Sequence, residues 1–262
     1  MNNYEYKSTL ESCEDLSGMR ESVSVKKVDI PVEQDAEARG NMYQFFSSCY
    51  LQPLGLDLLQ QILNTEFLRE LSVLFVGEGM DVLKEFATTA DFDKDFESLK
   101  QEYMDLFAVP TGRYVVPFED AYYGKCIEEK DDYGPLMGAR TIAVKKLYRG
   151  AGAEMEQTCK ELPTHIGIEL SFMKFLCQME MAEIKSAEND PLLKTEEEYV
   201  TNSCKYQKMQ IRFLQNHLNK WFPQLSQKIQ ANAKSKFYRG IAMITEEFLA
   251  NDEAILLCNC LA

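Results

Sequence analysis

From Pro163 to Ile184 the chain reads Pro-Thr-His-Ile-Gly-Ile-Glu-Leu-Ser-Phe-Met-Lys-Phe-Leu-Cys-Gln-Met-Glu-Met-Ala-Glu-Ile. Within it Ile166, Leu170, Met173, Cys177, Met181 and Ile184 recur at spacings of three and four, so they line one face of an α-helix. The spacing predicts a long amphipathic helix over residues 161–185. Pro163 belongs in its first turn, where a missing N–H costs nothing.

The same period governs most of the chain on either side. Met42, Phe45, Phe46 and Cys49 mark an apolar helix face that Pro53 and Gly55 end. Short helices follow over Leu56–Leu63, Thr65–Phe75 and, after Gly77-Glu78-Gly79, Met80–Thr88. Asp91 is placed to cap a helix that runs to Phe107. Residues 108–134 hold Pro110, Gly112, Pro117 and Gly124 and read as one long loop. Loops of that length inside a domain are commonly functional or disordered. Helix resumes over Leu136–Arg149, with Gly150 as its left-handed cap. Another helix covers about Glu196–Lys220, with Tyr206, Phe213, Leu214 and Leu218 inward. Pro223 allows a new start, and Gln224–Phe248 reads as one or two more helices.

Strand-like alternation is almost absent. The expected fold is all-α, a single compact bundle-like domain of about nine to eleven helices. The domain spans 34–250, after a flexible polar leader over 1–33 and before a short C-terminal tail over 251–262. The loop between the helical halves could serve domain exchange, so monomer and homodimer both stay open.

The 262 residues carry 28 Lys and Arg against 42 Asp and Glu, a formal net charge of -14. A basic face for phosphate contacts is not expected, and so no nucleic-acid partner. No apolar run reaches the roughly 18 residues of a membrane span, and residues 1–15 hold no apolar signal core. The expectation is a cytoplasmic protein without stable membrane insertion. Charge is uneven, however. From Tyr199 to Thr245 there are eight bases and no Asp or Glu. The acids therefore concentrate in the first 198 residues, with dense runs in 91–105 and 119–132.

The eight cysteines are scattered, and Cys49 and Cys177 sit on apolar helix faces, as buried thiols do in a reducing compartment. Cys258 and Cys260 form a close pair, but no second pair or neighbouring His accompanies them. Little enzymatic chemistry is legible. There is no phosphate-binding Gly-rich loop with Lys and no Gly-x-Ser-x-Gly elbow. Neither His165 nor His217 is preceded by Glu at the spacing of a di-iron bundle. His165 and Glu169 do stand one turn apart, where they could share a hydrogen bond, begin a metal site or act in acid–base chemistry.

Several motifs in order carry a family resemblance. Glu102-Tyr103-Met104-Asp105-Leu106-Phe107 is followed by Val109-Pro110 and then Pro117-Phe118-Glu119-Asp120-Ala121-Tyr122. Leu136-Met137-Gly138, Arg140, Val144, Tyr148 and Gly150 come next. Pro163-Thr164-His165 with Glu169-Leu170, Phe172-Met173 follows. His217-Leu218, Trp221, Pro223 and Phe237-Tyr238 close the series. Over residues 35–250 this resembles the TorD-like chaperones, a group that takes in DmsD-like and, more distantly, NarJ-like proteins. Two positions depart from the pattern: Thr164 stands where the family has an acid before His, and Asp120 where it has Ser. Thr164 keeps the capacity to cap a helix, and Asp120 could restore the carboxylate.

The resemblance implies a non-catalytic, cytoplasmic chaperone without a cofactor of its own. Its partner would be the catalytic subunit of a molybdopterin-containing oxidoreductase and that subunit's twin-arginine leader. Binding would aid cofactor insertion and delay export until maturation. A leader-independent, NarJ-like variant and, further off, a helical metal protein or enzyme using His165 and Glu169 are the alternatives. The residues carried over to leader or client binding are Tyr103, Pro117, Phe118, Tyr122, Thr164, His165 and Glu169, with Asp120 as the substitute acid. Aromatic groups would meet the leader's apolar stretch and its arginines, and carboxylates would pair with guanidinium groups.

Overall fold

A computed structural model describes residues 32–261, apart from 111, 124–132, 156–158 and 189–195. The expected leader over 1–33 therefore lies almost wholly outside the described residues. So do Cys13, Cys126 and the side chains of Cys204 and Cys260.

The quoted stretch is the central helix, α7, Ile166–Glu188. It starts later than its periodicity suggests. Pro163 is in the turn before it, where the Pro163 carbonyl accepts from the Tyr148 hydroxyl at 2.9 Å and so stays outside the helix. Ile166, Leu170, Met173, Leu176, Cys177 and Ile184 are buried. Before it come α1 (Val32–Leu51), α2 (Leu56–Leu63), α3 (Thr65–Leu74), α4 (Glu78–Thr89), α5 (Phe92–Tyr103) and α6 (Ala139–Ala151). After it come α8 (Glu196–Phe213), α9 (Asn219–Asn232) and α10 (Lys236–Leu261). The fold is all-α, as periodicity requires. Within the described residues the β-type pairing is one isolated antiparallel bridge, Phe118 with His165.

Local signals explain most boundaries. Asp91 caps α5 by accepting from the Lys94 N–H, and Asn64 caps α3 by accepting from Glu66 and Phe67. Helix α6 ends at Gly152, φ 78°, two residues beyond the expected Gly150. Gly152 takes the left-handed conformation that a side chain resists. Pro223 starts nothing new: it lies inside α9, which continues from α8 through a π turn at Leu214–Leu218. A matching π turn, Met104–Ala108, extends α5. Such widened turns re-aim the side chains that follow. Residues expected as a C-terminal tail continue α10 to Leu261, and Asp252 within them is buried.

Helix α7 lies between α1 and α8, and α10 packs along α4 and α9. Trp221, Tyr43, Tyr50, Tyr238, Phe46, Phe213, Phe222 and Phe237 are fully enclosed between them. Burying each such side chain is worth about 1.5–3 kcal/mol or more. Cys49 and Cys177 are buried free thiols, as their positions on apolar faces indicate.

A polar seam runs through this core. The Arg39 guanidinium on α1 donates to Glu180 on α7 at 2.7 Å, to Gln210 on α8 at 2.5 Å, and to Asp35 at 3.0 Å, and lies 3.6 Å from Asp252 on α10. Gln207 and Gln210 donate to Glu180, and the Tyr43 hydroxyl donates to Asp252. One guanidinium thus ties four helices in a fixed register.

Candidate functional site

The long loop is drawn onto the start of α7 by its backbone. Glu119 N–H donates to the Thr164 carbonyl and Ile166 N–H to the Pro117 carbonyl, each at 2.9 Å. The loop then turns through a 3-10 segment, Glu119–Tyr122. Val115 N–H reaches back to the Leu106 carbonyl in the π turn at 2.7 Å, which fixes the loop's first half. This places Pro117–Tyr123 beside α6, α7 and the π turn that opens α9.

Glu119 and Asp120 both point into this junction. Asp120 accepts from the Thr141 hydroxyl at 2.5 Å, the Thr164 hydroxyl at 3.2 Å and the Thr141 N–H at 3.4 Å. It therefore caps α6, adding the favourable charge of an acid at a helix N-terminus. Thr164 spends its hydroxyl on Asp120. The capping role at α7 falls to His165, whose Nδ1 accepts from the Gly167 N–H at 3.1 Å. That acceptor role needs an unprotonated Nδ1. Burial pushes the His165 pKa down to about 3, and so keeps the ring neutral.

Glu119, completely buried, takes the Nδ1–H of His217 at 2.9 and 3.0 Å from its two oxygens. Glu169, also completely buried, accepts from the Trp221 indole N–H at 3.0 Å. Its other oxygen takes no N–H donor, and the carboxyl group hydrogen-bonds the neighbouring Glu119 carboxylate. Burial first, and then the neighbouring Glu119 carboxylate, push the Glu169 carboxyl well above the usual carboxylate range. His165 and Glu169 share a helix face but use different side-chain partners, so the spacing yields neither a shared hydrogen bond nor a paired ligand set.

The aromatic residues frame these groups. Tyr122 donates to the Val116 carbonyl at 2.9 Å and packs its ring 5.2 Å from Trp221. Phe118 stands edge-on to His165 at 5.2 Å. Tyr103, some way off, donates to the Tyr50 carbonyl at 3.0 Å. Of the eight residues singled out in the sequence, Pro117, Phe118, Asp120, Tyr122, Thr164, His165 and Glu169 come together. Tyr103 belongs to the neighbouring α1–α5 contact. All are buried except Phe118, which is half-buried. The rim is formed by Tyr123 and Arg140, with the Arg140 guanidinium 3.7 Å over the Tyr123 ring.

The residues 75–227 match the family model described as nitrate reductase delta subunit. This chain is a member of the nitrate reductase delta subunit family. The match spans every residue of the junction, from Pro117 to Trp221, and Tyr103 beside it. A relative from Shewanella piezotolerans, named Chaperone protein TorD, is 21% identical over 226 residues, 85% of this chain and 92% of the relative. The family likeness thus extends well beyond the matched segment, over most of the helical unit.

Glu119, Thr141, His217 and Trp221 complete the junction and were not singled out as site residues. A signal existed for the last two. Their spacing of four puts both on one helix face, which is how a helix presents two donors to one buried acid pair. Nothing local marks Glu119 apart from the acids around it.

Within the acid-rich runs Glu102, Asp105, Glu119 and Asp120 are engaged in structure. Glu102 caps α10 through the Lys234 and Ser235 N–H groups and, with Asp105, pairs with Arg113. Two bases of the acid-free stretch answer acids from the first part of the chain: Lys205 faces Glu183 at 4.0 Å, and Lys236 pairs with Glu85. Within the described residues no helix is long and apolar enough to cross a membrane.

Proposed function

We propose that this protein is a non-catalytic maturation chaperone for a molybdopterin-containing oxidoreductase. It binds the client's twin-arginine leader, its apo form, or both, and holds export back until the cofactor is inserted. The observation that carries this reading is the family match over 75–227, because that span contains the whole junction between the loop and α7. The name of the TorD relative supports the same role.

In this reading Pro117, Asp120, Tyr122, Thr164, His165 and Glu169 shape the docking surface from beneath, with Tyr103 bracing the adjoining helices. Phe118, half-buried, meets the guest directly. Leu136, Met137 and Ile142, 46%, 64% and 56% exposed, offer an apolar surface at the start of α6 for a leader's apolar stretch. The work is done in the cytoplasm, where a leader is met before export.

The test is calorimetry with synthetic leader peptides from the molybdopterin oxidoreductases of the same organism, together with co-purification of those enzymes. Binding that is lost when Arg–Arg becomes Lys–Lys is the expected result. Co-purification without any leader binding would shift the reading to a leader-independent assembly chaperone. Absence of both interactions would refute the proposal.

A further inference from the structure

The rim residue Arg140 sits where a guest arginine would be best received. Its guanidinium carbon lies over the Tyr123 ring at 3.7 Å, its Nε is 3.9 Å from Glu119 Oε1, and one terminal nitrogen donates to the Asn216 carbonyl at 3.3 Å. An aromatic face, a buried carboxylate and a backbone carbonyl are the three partners a planar five-donor cation uses. Arg140 uses them loosely. The 3.9 Å approach is too long for a hydrogen bond, and the side chain is 33% exposed.

Meanwhile the site holds unspent hydrogen-bonding capacity. Glu119 accepts one N–H, from His217, where a carboxylate has room for about four. The Tyr123 hydroxyl is buried without any hydrogen-bond partner. An unmet buried polar atom is costly, so a ligand with more donors than Arg140 delivers here would be favoured.

We propose that Arg140 is a built-in placeholder, occupying the Tyr123–Glu119 site until an arginine of the guest peptide displaces it. The proposal rests on the leader-binding reading and adds to it the position of the arginine subsite and an internal competitor.

The experiment compares wild type with Arg140→Gln. The probe is a fluorescent peptide with an Arg–Arg pair ahead of an apolar stretch, and the control carries Gln–Gln in its place. Removing an internal competitor tightens Arg–Arg binding, by roughly tenfold for about 1.4 kcal/mol of released competition, and leaves the Gln–Gln peptide unchanged. Arg140→Lys retains a cation without the planar fork and gives a smaller gain; it also serves if the Gln variant fails to fold. Wild-type binding with equal or weaker affinity in the folded variants overturns the placeholder alone. Binding by neither wild type nor variants overturns the leader-binding reading and the placeholder together.

Discussion

Glu119 and His217, 98 positions apart in sequence, meet in the buried junction with Nδ1 2.9 Å from the carboxylate. One comes from the long loop and the other from the π turn ahead of α9. Their contact is what locks the loop to the helical body at its deepest point. Replacing His217 with Phe strands a buried carboxylate and should cost about 3–5 kcal/mol in urea unfolding. Glu119→Gln leaves a neutral partner and should cost less. The two substitutions should be non-additive by at least about 1 kcal/mol, as residues in direct contact are.

His165 sets part of the acid sensitivity. In the unfolded chain its imidazole titrates near 6.5, but in the folded protein burial holds it at about 3. Below 6.5 the unfolded chain therefore takes up a proton that the folded protein refuses, and stability falls as pH drops through that window. Glu169 acts in the opposite sense. Its raised pKa adds stability that is present below the ordinary carboxylate range and is lost as pH rises through the folded value. His165→Asn keeps an acceptor for the Gly167 N–H and removes the titration. Unfolding midpoints measured from neutral to acid pH should fall less steeply in this variant than in wild type.

Arg39 carries the other buried charge network. Arg39→Met should cost about 3–5 kcal/mol, because Glu180 and Asp252 lose the cation that compensates their burial. Adding Glu180→Gln to that variant should recover part of the loss. Equal stability of the single variant and wild type in urea would contradict this account.

Two glycines should respond in opposite directions to alanine. At Gly134 a Cβ would stand 2.0 Å from the Tyr123 carbonyl oxygen, a backbone atom that cannot move without opening the loop. Gly134→Ala should lower the thermal midpoint and loosen the loop, read as faster limited proteolysis. At Gly150, inside α6, a Cβ meets nothing within 4 Å. Gly150→Ala should therefore stabilise by about 0.5–1 kcal/mol through helix propensity.

Helix periodicity made the helical body legible, because a buried face repeats its apolar residues whatever it packs against. Caps such as Asp91 were legible for the same local reason. Boundaries shifted where a distant group intervened. Pro163 could have opened α7, but the Tyr148 hydroxyl holds its carbonyl in the preceding turn. Pro223 could have started a helix, but the π turn at Leu214–Leu218 carries the chain through it. The motif order pointed to the family and to seven of the residues that meet at the junction.

What those residues do there is a tertiary matter. Sequence alone determined an all-helical chain with acids in its first part and a long loop ahead of its central helix. Only the folded structure decided that Asp120 caps α6, that His165 replaces Thr164 as the cap of α7, and that Glu119 and Glu169 lie side by side. The reason is physical: a carboxylate's role depends on which donors surround it after burial, and those donors, Thr141, His217 and Trp221, come from segments that local patterning does not connect to the loop.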